Sequence, residues 1–292
     1  MATLRGTNGN DRLENIWYSN KTIIGLLGND YLQKAAWADD LIYGDDITPS
    51  ARDGNDTVYA GGGNDTVYGG GGRDFLYGAL GNDKMYGQAG DDKLDGGGSH
   101  DTLFGGAGAD SVDGGHGRDL IYGGDGVNSP VDGNDTLFGF SGDDTIYGNG
   151  GNDFIDAYSH EDVVYGGQGN DTIIGGGDKD ILYGNEGADT FRYLDRLESY
   201  PSYRNGLVDV IKDFNVAQGD KIDLRAIDAN SSVAGDQAFG FASGPGQGVV
   251  WTERVGLDLF VKADIANSYT GVNFMIELDN FAGTLSASSF LL

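Results

Sequence analysis

The sequence predicts an all-β fold: a parallel β-roll wound as a solenoid, followed by a small antiparallel β capping domain. Three observations carry that prediction. A glycine-rich loop ending in aspartate recurs every nine residues, an apolar residue stands two positions after each aspartate, and the period stops after Arg192. Self-similarity at a short fixed period marks a solenoid, whose units bury their apolar side chains only by stacking.

The units come first in the chain. Residues 69–77 read GGGGRDFLY, 105–113 GGAGADSVD and 166–174 GGQGNDTII. Aligned on the sixth position, about nineteen units run from Gly6 to Arg192. The triplet around the apolar residue is a minimal strand, with its middle side chain facing one way and its flanks the other. Leu13, Ile23, Val58, Val67, Leu76, Met85, Leu94, Leu103, Ile121, Leu137, Ile146, Ile173 and Phe191 therefore form one narrow core.

The glycines have a separate reason. Six residues must reverse the chain while aiming carbonyls inward, and glycine takes positive φ freely. Such a loop leaves carbonyl and carboxylate oxygens converging with no protein donor to meet them. A hard cation that takes six to eight oxygens answers that arrangement.

The motif Gly-Gly-x-Gly-x-Asp-x-apolar-x resembles the calcium-binding nonapeptide of the RTX (hemolysin-type) family, whose parallel β-helix is itself the standard instance of such a repeat. The resemblance implies a calcium-binding β-roll in which two units make one coil. Multiple Ca2+ ions then lie between same-side loops of successive coils, held by carbonyls of the first four loop positions and both sixth-position aspartates. Asp74 and Asp92 would share an ion, as would Asp65 and Asp83, and Asp101 and Asp119. The implied aspartate ligands are Asp11, Asp30, Asp56, Asp65, Asp74, Asp83, Asp92, Asp101, Asp110, Asp119, Asp135, Asp144, Asp153, Asp171, Asp180 and Asp189. The implied loop glycines in the first half of the roll are Gly61, Gly63, Gly69, Gly70, Gly72, Gly78, Gly81, Gly87, Gly90, Gly96, Gly97, Gly105, Gly106 and Gly108. Further on they are Gly114, Gly115, Gly117, Gly123, Gly124, Gly133, Gly139, Gly142, Gly148, Gly151, Gly166, Gly167, Gly169, Gly175, Gly176, Gly184 and Gly187.

Departures from the motif matter as much. Lys21 replaces an aspartate, and Ala35-Ala36-Trp37-Ala38 replaces a glycine loop, both on the same side of the roll. The expectation is that calcium is lost there, with the Lys21 ammonium where an ion would sit and Trp17 and Trp37 capping the open core. The loop 157–162 (AYSHED) is also degraded, so Asp40 and Asp162 stay outside the expected ligand set. Two units carry seven extra residues, 46–52 and 126–132, which project from one edge. The last position of even units is aromatic through Tyr43, Tyr68, Tyr86, Phe104, Tyr122, Tyr147, Tyr165 and Tyr183. Such a stripe serves either packing or a partner.

Beyond Arg192 the segments 208–214, 219–224, 257–262 and 273–278 read as strands of the antiparallel domain. The stretch DVIKDFNVAQGDKIDLRAIDAN at 209–230, with Gln237-Ala238-Phe239 and the closing SASSFLL, resembles the C-terminal domain of serralysin-type secreted proteins. That resemblance implies an uncleaved signal for a type I secretion channel. The expected organisation is thus a roll over 1–192 and a C-terminal β domain carrying the secretion signal over 193–292.

Composition sets the remaining bounds. The net charge of −28 repels nucleic acid and anionic membranes and attracts metal cations. Cysteine is absent, the first residues lack the apolar core of a cleavable leader, and no run is long and apolar enough to span a bilayer. The histidines, His100, His116 and His160, form no HExxH pattern, and no G-x-S-x-G elbow or phosphate loop occurs. No enzyme is expected. The expected function is a secreted, extracellular or cell-surface calcium-binding protein that folds on extracellular calcium. Its expected partners are the type I secretion machinery and an extracellular polysaccharide or cell-surface ligand. The alternative is a carbohydrate-binding module similar to the R-modules of alginate epimerases. A membrane-active toxin ranks last, for want of an amphipathic helix.

Overall fold

A computed structural model describes residues 2–16, 21–34, 37–45, 53–126, 132–194, 208–227, 239–245, 248–264 and 274–292. The chain divides into two compact units, 1–154 and 155–292.

In the first unit the strands alternate between two parallel sheets. One sheet runs in order through Ala2–Arg5, Lys21–Ile24, Leu41–Tyr43, Thr66–Gly71, Lys84–Ala89, Thr102–Ala107, Leu120–Tyr122 and Thr145–Gly150. The other runs through Arg12–Ile16, Tyr31–Lys34, Thr57–Gly62, Phe75–Leu80, Lys93–Gly98, Ser111–His116 and Thr136–Ser141. Each strand pairs with the strand two units away, so like positions stack on like: Leu94 lies between Leu76 and Val112. The middle residue of the triplet is sealed past the first coil, with Val58, Val67, Leu76, Met85, Leu94, Leu103, Val112, Ile121, Leu137 and Ile146 all fully buried, whereas Leu13, expected in the core, is only half-buried because no coil precedes it to cover it. Each such side chain contributes about 1.5–3 kcal/mol relative to exposure. Their flanks are largely half-buried or exposed, as a period of two demands.

The second unit winds in the same way. Val163–Gln168, Ile181–Glu186, Val210–Ile211 and Phe274–Leu278 pair successively in parallel. Thr172–Ile174, Thr190–Arg192, Lys221–Asp223 and Phe290–Leu291 do likewise. Only then does the direction change: Asp258–Asp264 lies antiparallel between Phe274–Leu278 and Val249–Val255. An aromatic cluster closes this end, with Phe214 between Phe191 and Phe281 and Tyr193 edge-on to Phe274 at 5.1 Å.

Several expectations need correction. The segments 208–214 and 219–224 do not belong to the antiparallel part; their strands continue the parallel winding past Arg192. The reason is that Asp209-Val210-Ile211 and Asp220-Lys221-Ile222 keep the aspartate-x-apolar triplet, although the nine-residue interval is lost. Trp37 does not cap the core: it is 79% exposed, and its ring lies over the backbone of Gly62. Trp17, the Lys21 side chain, residues 46–52 and 127–131, the loop 195–207 and Gln237-Ala238 lie outside the described residues.

Candidate metal centre

The turns between the sheets place the sixth-position aspartates in two rows, one along each edge. In each row the Oδ1 atom accepts the backbone N–H of the aspartate one coil earlier. On one edge Asp56, Asp74 and Asp92 donate to Asp74, Asp92 and Asp110 at 2.7–2.8 Å. On the other, Asp65, Asp83 and Asp101 donate to Asp83, Asp101 and Asp119 over the same range. In the second unit Asp162 donates to Asp180, and Asp171 to Asp189. The pairs expected to share an ion, Asp74 with Asp92, Asp65 with Asp83 and Asp101 with Asp119, are thus direct neighbours.

The second oxygen is the informative one. At Asp74, Asp83, Asp92, Asp101, Asp110, Asp119, Asp135 and Asp189 the Oδ2 atom is buried without a hydrogen-bond partner. The first glycine of the same loop leaves the space beside it open. A Cβ on Gly87 would lie 2.5 Å from Asp92 Oδ2 and 2.4 Å from the carbonyl oxygen of Gly105 in the next coil. On Gly78 it would meet Asp83 Oδ2 at 2.4 Å and the Gly96 carbonyl at 2.7 Å. Each cradle is therefore lined by a carboxylate oxygen and a carbonyl oxygen, with no protein donor between them. A buried carboxylate without a counter-charge is strongly disfavoured.

The electrostatics show the strain of that arrangement. Burial, with neighbouring aspartates adding to it, pushes the carboxyl of Asp74 up to about 9 and those of Asp101 and Asp110 up to about 8. Burial likewise raises Asp92 and Asp135 to about 7. The donor set fits a hard divalent cation taking oxygen ligands, which is calcium chemistry.

Position by position, the aspartates from Asp30 to Asp153 in the first unit and from Asp162 to Asp189 in the second fall in such rows, and the loop glycines expected as ligands line the turns beside them. Asp11 is only half-buried, and its Oδ2 accepts the Thr7 N–H. Asp40 and Asp162, outside the expected set because their loops are poor in glycine, occupy the same buried positions. The degraded loop 157–162 keeps its turn by holding Tyr158 and His160 at positive φ. Asp209 and Asp220 escape the nine-residue alignment altogether, yet they extend the rows, receiving the N–H groups of Asp180 and Asp189 at 3.0 and 3.1 Å. An aspartate-x-apolar triplet outside the period is the signal that marks them.

The histidines have structural partners. His100 Nδ1 accepts the Arg118 N–H at 2.7 Å, the role that Asn55 and Asn64 Oδ1 play for Arg73 and Asn82. Among the described residues, the one group of three metal-ligating side chains within mutual reach contains no histidine; it is Asp258, Glu277 and Asp279, and Lys212 pairs with Asp279 at 2.7 Å.

Asp92→Ala is expected to destabilise the calcium-loaded roll by about 2 kcal/mol or more, because it strips a cradle and leaves the Asp74 N–H unmet in the interior. Asp11→Ala, at the half-buried end, is expected to stay within about 0.5 kcal/mol. Denaturant titrations of both variants in calcium check this, and equal losses would contradict the shared-row geometry.

The fold and rows together define a β-roll built to hold cations along both edges. Comparison with known families agrees. Residues 50–85, 73–103, 95–129, 131–155 and 156–191 match the RTX calcium-binding nonapeptide repeat, so this part of the chain carries RTX repeats. Among solved structures, the AlgE6R3 subunit of the Azotobacter vinelandii mannuronan C5-epimerase is 27% identical, with 66% of this chain and 77% of that one covered and a TM-score of 0.31. The AlgE6R2 subunit of that enzyme is also 27% identical, covering 55% and 88% with a TM-score of 0.28. No curated protein gives a significant match. The fold assignment rests on the strand pairing described above.

Proposed function

We propose that this is a secreted, non-enzymatic calcium-binding protein that folds on extracellular calcium and serves as a surface or matrix interaction module. The observation that supports it most is the pair of aspartate rows with buried, unmet Oδ2 atoms. Extracellular calcium modules work at roughly 10⁻⁴–10⁻³ M. At cytosolic calcium the chain stays unfolded, the state a type I channel exports, and it folds outside. No helix among the described residues is long and apolar enough to cross a membrane.

The carbohydrate alternative would use either the aromatic stripe or the calcium-bearing face, and the ring geometry bears on the first. Tyr68, Tyr86, Phe104 and Tyr122 stack face to face at 4.7–4.9 Å, within 6° of parallel. Each ring therefore covers its neighbour's face, and sugar stacking on free faces is not available inside the ladder. A glycan would meet ring edges and hydroxyls only, so the stripe supports a packing role.

Export is tested by deleting residues 207–292 and assaying the medium of cells with a type I channel. The deletion removes the strands that pair with Ile181–Glu186 and Thr190–Arg192 as well as the proposed signal. The truncated chain is expected to remain inside; its appearance in the medium at the full-length level would refute the secretion assignment.

A further inference from the structure

We infer that Lys34 is a tethered cation: its ammonium takes the cation's place between the loops ending in Asp40 and Asp65, and this loop pair closes without a metal ion. The inference rests on the reading that calcium fills the other loop pairs.

The register puts Lys34 where the cradles need glycine. Leu32 and Gln33 pair with Val58 and Tyr59, so Lys34 follows in line with Ala60, the first loop position of the next coil. Further along the same edge that position is Gly78, Gly96 and Gly114, where a Cβ would press on an aspartate Oδ2. Lys34 fills the corresponding space instead. Its Nζ forms an ion pair with Asp40 Oδ2, donates to the Ala38 carbonyl, and lies 3.8 Å from Asp65 Oδ1. Its side chain is only 1% exposed. One fixed positive charge is thus held by the sixth-position carboxylates of two successive coils and a loop carbonyl, the donor types found in the cation cradles.

The loop itself supplies an independent observation. It contains no glycine, and neither Trp37 nor Ala38 has positive φ, whereas the loop ending in Asp65 has Gly61 and Gly63 at 101° and 116°. At Ala38, in line with Gly63, the left-handed backbone of the glycine loops is absent, and here the lysine supplies the positive charge. The sequence pattern also points to Lys21 for such a role, and its side chain lies outside the described residues. The consequence is a coil edge near the N-terminus whose carboxylates already meet a positive charge before any calcium binds, a starting point onto which calcium-dependent coils add.

A charge-pair cycle tests this. Wild type, K34M, D40N and the double variant are titrated with Ca2+ and followed by circular dichroism. K34M alone is expected to raise the calcium midpoint about twofold, since a buried pair is broken but the loss is shared among many cooperatively bound ions. The double variant is expected to shift it less than the two single shifts combined. If K34M leaves the midpoint in place, or the single effects simply add, the inference falls. An amine-reactive label on wild type in saturating Ca2+ gives a readout that does not depend on how the variants fold. Lys34 is expected to be protected while the exposed Lys84 reacts, and equal labelling overturns the inference. Should wild type be equally folded in chelator and in Ca2+, the calcium reading itself fails, which separates the two.

Discussion

Chelation is expected to unfold the repeat segment, and millimolar calcium to restore it. The unfavourable term is large. Carboxylates stacked one coil apart stand about 5 Å from each other, and at an effective dielectric of about 20 each adjacent charged pair costs about 3 kcal/mol. Several such pairs in each row exceed the total stability of an ordinary domain, about 5–15 kcal/mol. Far-ultraviolet circular dichroism in EDTA and in calcium reads the transition directly.

Protons are expected to substitute in part. The folded-state values of the row aspartates, about 9 at Asp74, about 8 at Asp101 and about 6 at Asp119, lie above the value of about 4 for an unfolded chain. A raised carboxyl favours the metal-free fold when protonated. That contribution is fully present below about pH 4 and is lost as pH rises through about 6 to 9. In EDTA the β signal should therefore be greater at pH 5 than at pH 9; the reverse order would contradict the buried-row account.

Gly90→Ala is expected to be more damaging than Asp92→Ala. Gly90 has φ of 136°, and a Cβ there would sit 1.6 Å from the Gly72 carbonyl oxygen in the preceding coil. Backbone, not a movable side chain, blocks it, so the coils must separate. A cost of about 3 kcal/mol or more is expected from strain and lost pairing together. Gly9→Ala is the control, because a Cβ at Gly9 meets nothing within 4 Å. Thermal melts in saturating calcium should show a large fall for the first and almost none for the control.

How much of this is legible in the sequence depends on the periodicity. Where the nine-residue interval holds, each aspartate and apolar position can be assigned in advance, because every coil repeats the environment of its neighbour. Asp92 and Leu94 need no structure. Beyond Arg192 the interval fails while the triplet survives. Short strands such as Val210–Ile211 carry no pattern that distinguishes a parallel partner from an antiparallel one, so the sequence groups them with the antiparallel strands beside them. The antiparallel strands near 258–264 and 274–278 are long enough to recognise. Lys34 is hidden for a different reason. It is an extra residue between two units, and only strand register shows that it stands in line with Ala60. The aromatic stripe is visible as a spacing, but ring orientation follows from the distance between coils, which makes consecutive rings stack face to face.

Cations filling the cradles along both edges would be visible by anomalous diffraction from crystals grown in calcium. Peaks are expected beside the Oδ2 atoms of Asp74, Asp92 and Asp110 on one edge and of Asp83, Asp101 and Asp119 on the other. A well-ordered roll with no anomalous peak at any of these oxygens would contradict the filling of the cradles.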